Sequence, residues 1–270
     1  MNRTQTYEIT VLPGTNREGE TEGFDRIVIH PGDTLSIVGP TGSGKSAFIN
    51  DIEVLAQDDT VTGRSILVNG EEPSEELVRD PAKKPIALIT QNTRVIADLT
   101  VTRFLALHIQ ARDTSAQHLI ARTIALANEF TGEKIAEPMR MTALSGGQTR
   151  SLLIADAILI GQTPILLLDE VENAGINKER VISCLRDYKK AVIFVTHDPY
   201  LALITDRRIV MKNGAVAAVL EPDGRERRIL GTVSGMDSFL WDLREKIRSG
   251  ELIEDPVKRP AAQKKAGVPA

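Results

Sequence analysis

GPTGSGKS, residues 39–46, is the stretch that decides the fold of this chain. It satisfies the pattern G-x-x-x-x-G-K-[ST] at every fixed position, through Gly39, Gly44, Lys45 and Ser46, and Gly42 adds a further glycine. Glycines let a backbone turn tightly and point successive N–H groups at a polyphosphate, because a residue without Cβ adopts positive φ and approaches a ligand closely. The pattern therefore predicts a phosphate-binding loop.

The segments on either side predict a strand before this loop and a helix after it. Residues 33–39, DTLSIVG, are typical of a buried parallel strand, and residues 47–56, AFINDIEVLA, have helical apolar spacing. This order places a helix N-terminus against the phosphates. We expect Lys45 to bind the β and γ phosphates and the Ser46 hydroxyl to bind Mg²⁺. The predicted nucleotide-binding residues of the loop are Gly39, Pro40, Thr41, Gly42, Ser43, Gly44, Lys45 and Ser46.

Composition and charge are ordinary for a globular protein. The 270 residues are 41% hydrophobic and 26% charged, and the net charge of −4 implies no general affinity for nucleic acid. The one cysteine, Cys184, lies in an apolar-periodic segment and is predicted to be a buried core thiol. The N-terminal residues lack the apolar region of a secretory signal, and the apolar runs are too short to span a bilayer. We therefore expect a soluble, cytoplasmic chain without direct membrane insertion.

Apolar periodicity changes along the chain and suggests its organisation. Strand-like runs precede the phosphate loop, whereas the stretch from 100 to 160 is helical in pattern. Residues 207–220, RRIVMKNGAVAAVL, have an Asn-Gly turn between two apolar runs, which predicts a hairpin. SFLWDLREKIRSG, residues 238–250, reads as a helix. We expect one domain over 1–220 with a helical subdomain at about 95–160, a C-terminal extension with a helix over 221–254, and a disordered tail over 255–270.

Polar residues follow three further buried-type strands. Asp169 and Glu170 follow ILLL, His197 follows AVIFVT, and Gln91 follows IALIT. Ligand-binding residues of open α/β sheets collect at the carboxyl ends of strands. We expect Ser46, Gln91 and Asp169 to bind Mg²⁺ and Glu170 to orient the attacking water. His197 is expected to bond the γ-phosphate or that water; the alternatives are solvated acids and a structural histidine.

The phosphate loop and four further motifs, in fixed order over residues 39–197, carry a family resemblance. LSGGQ at 144–148 resembles the signature motif of ATP-binding cassette (ABC) ATPases, PILLLDE resembles their Walker B strand, and Gln91 and His197 resemble their Q-loop and switch residues. The resemblance covers about the first 220 residues. It implies an α/β fold: a P-loop NTPase (RecA-like) core with an antiparallel β subdomain and an inserted helical subdomain that carries LSGGQ.

The signature stretch implies a dimer. Ser145 is a plausible N-cap of the following helix, whose exposed N–H groups could bind an anion. In ABC ATPases this loop faces the γ-phosphate held by the other protomer, so the resemblance implies a head-to-tail dimer with a second cassette, expected to be identical, around two MgATP molecules. The signature residues expected to bind this nucleotide are Ser145, Gly146, Gly147 and Gln148.

Three features depart from the family pattern. The segment after Glu170 usually has a sequence similar to SALD in this family. Here it is VENAGI, residues 171–176. The signature helix carries Asp156 where a basic residue is usual, and Arg150 lies one position early. No aromatic residue stands where the family stacks adenine, so we expect either loose binding of the base or stacking on Arg17.

Two functions remain open from the sequence. The first is the ATPase subunit of a transporter whose membrane subunits are separate chains, which would place it at the inner face of the membrane. The segment at 95–107 resembles the docking segment of such subunits; it could equally be subdomain core. The second is a soluble ABC-type ATPase that acts on a protein client, in cofactor assembly or enzyme activation. A catalytically silent cassette is disfavoured because Lys45, Asp169 and Glu170 are present.

Overall fold

Strands and helices alternate along most of this chain, as the apolar periodicity predicts. The computed structural model describes residues 7–112, 116–170 and 175–253. The strands are β1 (Ile9–Leu12), β2 (Ile27–Ile29), β3 (Thr34–Val38), β4 (Ser65–Val68), β5 (Ile86–Ile89), β6 (Ile165–Asp169), β7 (Ala191–Val195), β8 (Arg207–Lys212) and β9 (Ala215–Leu220). The helices are α1 (Lys45–Val54), α2 (Glu75–Arg79), α3 (Val101–Ala111), α4 (His118–Phe130), α5 (Gly146–Leu159), α6 (Lys178–Asp187), α7 (Pro199–Ile204) and α8 (Gly224–Arg248), with a 3₁₀ helix at Met141–Ala143.

A six-stranded sheet forms the centre of the fold. Its order is β5-β6-β7-β3-β8-β9, and the pairings from β5 through β8 are all parallel, whereas β9 pairs antiparallel with β8. All five residues of β7 are buried, and four of the five in β6 are. Continuous apolar runs form such strands because both faces of a parallel sheet are covered.

Each face of the sheet supports its own hydrophobic core. Side chains alternate along a strand, so Leu166 and Leu168 pack on one face with helices α3 to α6, while Ile165 and Leu167 pack on the other. The second core also contains Phe48 of α1 and the apolar residues of a three-stranded antiparallel sheet in the order β2-β1-β4. This mixed α/β architecture confirms the predicted fold class.

The predicted hairpin turn is present in the backbone. The predicted hairpin is β8–β9, and its Asn213 and Gly214 have φ of 52° and 85°, the conformation that favours Asn-Gly. Helix α8 begins at Gly224, well before the predicted start at 238.

Helices α3 to α5 lie in the stretch expected to form a helical subdomain, and the division into domains stays a prediction. The expected tail over 255–270 and residues 171–174 of VENAGI lie outside the described residues.

Candidate nucleotide site

The phosphate loop joins β3 to α1 and is packed tightly against the β8–β9 turn. A Cβ atom at Gly39 would lie 2.5 Å from the carbonyl oxygen of Met211, and one at Gly44 would lie 2.9 Å from the Cα of Gly214. Both glycines also have positive φ, at 150° and 101°. Only glycine fits these two positions, because any side chain would displace the backbone of the hairpin.

Lys45 lies across the loop that precedes it. Its Nζ donates to the carbonyl oxygens of Gly39, at 2.8 Å, and Pro40, at 3.2 Å, and the residue is 7% exposed. Helix α1 begins at Lys45, and its N-cap Gly44 provides no side-chain hydrogen bond to the first turn. The loop therefore combines a cationic side chain with the N–H groups and positive dipole end of a helix, which together favour an anion.

Two polar side chains of the loop region, both named in the sequence analysis, have surroundings that the sequence does not predict. The Oγ of Ser43 is buried and has no hydrogen-bond partner among the described residues. Arg17, from the segment after β1, donates from its Nη2 to the carbonyl oxygen of Gly42 at 2.6 Å and packs over Gly214. A buried hydroxyl without a partner is costly, so Ser43 marks a place where a ligand's oxygen would be favourable.

Four neighbouring parallel strands present the predicted residues at one edge of the sheet. The phosphate loop follows β3, and His197, Glu170 and Gln91 follow the adjacent strands β7, β6 and β5. Carboxyl ends of parallel strands meet at the same edge, where open α/β sheets bind their ligands. The structure therefore brings these predicted residues to a common edge, with Asp169 as the last residue of β6.

Glu170 and His197 lie near each other at this edge. The Nε2 of His197 lies 3.6 Å from the Oε1 of Glu170, and both side chains are partly exposed. The backbone N–H of Glu170 donates to Val195 at 2.9 Å, which extends the β6–β7 pairing by one residue, and Glu170 has a φ of 50°. A left-handed φ at a non-glycine residue is strained and is common at functional sites.

The signature residues lie on a different element. Ser145 is the N-cap of α5, and it forms a capping box with Gln148: the Ser145 N–H donates to Gln148 Oε1 at 2.8 Å, and the Gln148 N–H donates to Ser145 Oγ at 3.2 Å. The buried Gln148 also donates to Lys134 O at 3.2 Å. Gln148 thus uses its side chain within its own chain. Among the described residues, no hydrogen bond or ion pair joins this stretch to the phosphate loop.

Behind the signature, Arg150 lies largely buried. Its Nε donates to Gly146 O at 2.9 Å, and its Nη1 has no partner in the described part of the chain. Burial lowers the pKa of this guanidinium. Its Nη2 would lie 2.6 Å from a Cβ placed at Gly146, so any other residue there would force the guanidinium to move. Arg150 lies one position before the arginine that is usual in the family. Its guanidinium therefore contacts the signature glycine Gly146.

Comparison with known proteins identifies the family. Residues 26–173 match the family model described as ABC transporter. The chain belongs to the ABC transporter family. It is an ABC ATPase that binds and hydrolyses ATP.

Two of the curated relatives are named as ATP-binding proteins. An uncharacterized ABC transporter ATP-binding protein of Methanocaldococcus jannaschii is 47% identical over 246 residues, which are 91% of this chain and 94% of the relative. A thiamine import ATP-binding protein of Brucella suis is 31% identical over 212 residues, which are 74% of this chain and 83% of the relative. The family assignment therefore extends over most of the chain.

Solved structures share the fold. An ATP-binding subunit of an ABC transporter has a TM-score of 0.62 at 21% identity and covers 89% of this chain and 100% of its own. A dimeric cassette in a post-hydrolysis state, bound to ADP and phosphate, has a TM-score of 0.61 at 24% identity and covers 80% of this chain and 99% of its own. Within the described residues, no helix has the length and apolarity needed to cross a bilayer.

Proposed function

We propose that this ABC ATPase hydrolyses MgATP at two composite sites of a head-to-tail homodimer, and that its cycle drives conformational work in separate membrane transport subunits. The observation that carries the proposal is the common edge at which the phosphate loop, Glu170, His197 and Gln91 follow four neighbouring parallel strands. Relatives named for import support the transport role. Bound to such subunits, the chain would lie at the inner face of the membrane.

The residues present fit ATP and Mg²⁺. The unpartnered, buried Ser43 hydroxyl and the uncapped first turn of α1 both favour phosphate oxygens. Ser46, Gln91 and Asp169 supply hydroxyl, amide and carboxylate oxygens, which are the ligands that Mg²⁺ prefers. When bound, Mg²⁺ would neutralise phosphate charge as the γ-phosphoryl group leaves.

The chain's own residues would position the attack. Lys45 would exchange its bonds to the carbonyl oxygens of Gly39 and Pro40 for phosphate oxygens, which are stronger, charged acceptors. Glu170 would accept a hydrogen bond from the attacking water and align it with the γ-phosphorus. His197, 3.6 Å from Glu170, would bond the γ-phosphate or the same water. Catalysis would come from positioning and charge stabilisation.

The signature loop would complete the site of the partner. The capping box engages the N–H groups of Ser145 and Gln148 and fixes the first turn of α5, so the N–H groups of Gly146 and Gly147 and the Ser145 side chain would be presented in a rigid arrangement. In the same chain these residues have no bond to the phosphate loop, which supports a role across a dimer interface. Each chain would therefore contribute its phosphate loop to one nucleotide site and its signature loop to the other.

Glu170→Gln tests the catalytic assignment. The amide keeps the size of the side chain but is a poor acceptor for the water's proton, so we expect ATP turnover to fall about 100-fold or more with ATP affinity retained. Turnover would be measured as phosphate release and affinity by calorimetry, with the exposed Glu133→Gln as the matched control. Turnover within twofold of the wild type would remove Glu170 from the mechanism.

Affinity capture tests the transport assignment. The Glu170→Gln chain with ATP would be used as bait in detergent extracts of its own cells, and captured proteins would be identified by mass spectrometry. We expect polytopic membrane proteins that the Lys45→Ala bait does not capture. Capture of soluble proteins alone would instead favour the client-activating ATPase that the sequence left open.

A further inference from the structure

Helix α8 contacts the N-terminus of α6. Ser234 of α8 donates to the Oε1 of Glu179 at 3.0 Å, and Asp237 of α8 accepts from the Nζ of Lys178 at 2.8 Å. Lys178 and Glu179 are the first two residues of α6, which begins just after the VENAGI segment at 171–176. The C-terminal helix is therefore bonded to the element that follows Glu170 in the sequence.

Lys178 also binds the residue that follows the switch histidine. Its Nζ donates to the Oδ2 of Asp198 at 2.5 Å. Asp198 comes directly after His197 and is the N-cap of α7, where its Oδ1 accepts from the N–H of Leu201 at 3.0 Å. One ammonium group thus joins α6, the start of α7, and α8.

The charged groups of this junction are largely enclosed. The side chains of Lys178 and Asp198 are 11% and 14% exposed, and that of Asp237 is 34% exposed. Burial alone would lower the pKa of Lys178, but its hydrogen bonds to Asp198 and Asp237 outweigh burial, and the pKa is raised. An enclosed ammonium between two carboxylates forms charge-assisted hydrogen bonds, which hold it in one place.

A second residue of α6 joins the same elements. The Oε1 of Glu179 accepts from the hydroxyl of Tyr200 at 2.9 Å as well as from Ser234. Tyr200 lies on α7 and is buried. Lys178 and Glu179 are adjacent, and each binds α8 together with α7 or its N-cap. Because the three elements are joined at two points, their arrangement at the switch histidine is fixed.

The backbone at His197 is held from its other side by the strand that leads to the phosphate loop. The N–H of Thr196 donates to the carbonyl oxygen of Ile37 in β3 at 3.1 Å, and the N–H of Asp198 donates to the Thr196 hydroxyl at 2.9 Å. His197 lies between these two residues, with its Nε2 3.6 Å from the Oε1 of Glu170. The direction of the imidazole therefore depends on where Asp198 is held.

We propose that Lys178 positions His197 for hydrolysis and that Asp237 of α8 holds Lys178 in place. The inference rests on the proposed function, in which His197 bonds the γ-phosphate or the attacking water. Lys178 acts through Asp198, so it is a positioning residue. Without Asp237, its ammonium would have Asp198 as the one remaining carboxylate in the described part of the chain and would swing about it. The imidazole would then leave its place beside Glu170, and a misplaced group slows the reaction.

Steady-state hydrolysis tests the positioning role. We expect Lys178→Met to lower kcat about 10-fold or more and Asp237→Ala about 3- to 10-fold, while the KM for ATP stays within about twofold because the phosphate loop is intact. Lys178→Arg should retain about half of the wild-type kcat or more, since a guanidinium can bind both carboxylates. The matched control is Asp242→Ala, an exposed aspartate of the same helix, which should leave both constants unchanged.

Imidazole NMR of the histidine-labelled chain tests the position itself, without reference to turnover. The chain has four histidines, so its spectrum is simple, and the signal that is missing in His197→Ala identifies His197. In Lys178→Met and Asp237→Ala we expect the His197 signal alone to shift or broaden. The signals that should stay unchanged, and so show that the variants are folded, belong to His30, His108 and His118.

The outcomes separate this inference from the function on which it rests. An unchanged His197 signal in both variants, or a wild-type kcat in Lys178→Met, would overturn the positioning role while the proposed function stands. A KM that rises as much as kcat falls would also overturn it, because the defect would then lie in nucleotide binding. A wild-type kcat in His197→Ala would refute the catalytic role of His197 and, with it, the inference.

Discussion

Lys45 is the charged side chain that the phosphate loop contributes to the site. Its Nζ is already held by two loop carbonyl oxygens, so a bound phosphate meets a preoriented cation. We expect Lys45→Ala to weaken ATP binding by on the order of 10- to 100-fold, because a hydrogen bond to a charged group contributes ~1.5–3 kcal/mol. Titration calorimetry measures this, and the exposed Lys83→Ala serves as the control. Wild-type affinity in Lys45→Ala would contradict the phosphate-loop assignment.

Cys184 is a core residue, as the sequence predicts. It is 2% exposed on α6, and burial raises the pKa of its thiol to about 11. A raised pKa keeps the thiol protonated in the folded chain at pH 9, where an unfolded cysteine is largely thiolate. We expect a thiol reagent at pH 9 to label the native chain at least tenfold more slowly than the chain in denaturant. Equal labelling rates would show that α6 opens readily or that Cys184 lies at the surface.

Local sequence patterns predict only some features of single residues. The phosphate loop and the capping serine of the signature are visible because each is set by a few consecutive residues. The left-handed φ of Glu170 and the unpartnered hydroxyl of Ser43 are not visible, because both depend on β7 and on the β8–β9 turn, which are distant in the sequence. The sequence therefore predicts candidate residues for the site but not how their backbones are held.

At the level of elements, a buried ion network joins the antiparallel sheet to the phosphate loop. Arg64, which precedes β4, is 0% exposed and donates from two nitrogens to Glu22, each at 2.7 Å, and from a third to Asp51 of α1 at 2.9 Å. It also donates to Gly214 O at 2.9 Å, and the Gly214 N–H donates to Ser43 O at 2.9 Å. One side chain thus connects the sheet, α1 and the loop.

The network lowers the pKa of one of its carboxylates, that of Glu22. Burial alone would raise the pKa of Glu22, but the hydrogen bonds from Arg64 and from the N–H groups of Gly14 and Val216 outweigh burial, and the pKa is lowered. A lowered pKa means that this stabilisation is present above the unfolded value near pH ~4.3 and is lost as the pH falls through the folded pKa. The network therefore stabilises the fold at neutral pH.

Arg64→Leu removes the cation and leaves two buried carboxylates unpaired. We expect the free energy of unfolding to fall by ~3–5 kcal/mol, because an uncompensated buried charge costs that much. Urea unfolding measures the change. The matched control is Arg79→Leu, an exposed arginine on α2 whose replacement should shift stability by less than ~0.5 kcal/mol. If the free energy of unfolding of Arg64→Leu falls by less than ~1 kcal/mol, the carboxylates of Glu22 and Asp51 are solvated and not buried.

Element boundaries show where sequence patterns fail. The sequence places a helix at 238–250, but α8 begins at Gly224 because Asp223 accepts from the N–H groups of Arg225 and Glu226 and so caps its first turn. Gly231 and Gly235 weaken the helical pattern in the first half of α8, because each glycine disfavours a helix by ~1 kcal/mol. The ion network of Arg64 is hidden for a different reason: its members are separated by many residues and meet only in the folded chain.

In the whole molecule, the phosphate loop and the signature stretch, which we propose to be two parts of a composite site, lie on different elements of one chain. The phosphate loop and the catalytic candidates lie at the carboxyl edge of the six-stranded sheet, while the signature begins α5, which packs in the core of the other helices. Because the two parts share no described bond within one chain, a test must ask whether they work together across two chains.

Ser145→Asp is suited to such a test. Aspartate is as good an N-cap as serine, so α5 should keep its start, but the added negative charge would face the γ-phosphate of the partner's ATP. Ser145→Asn is the control, because asparagine caps the helix without the charge. We expect Ser145→Asp to lose hydrolysis while Ser145→Asn retains most of it.

Mixing two inactive variants then tests the composite site directly. Lys45→Ala and Ser145→Asp chains should each be inactive alone, since every site of either homodimer contains the defect. In a heterodimer, the intact phosphate loop of the Ser145→Asp chain faces the intact signature of the Lys45→Ala chain. An equal mixture should therefore recover about a quarter of wild-type phosphate release, because half of the dimers are mixed and one of their two sites is intact. A mixture as inactive as its components, with both variants folded and dimerising on ATP, would contradict the head-to-tail arrangement.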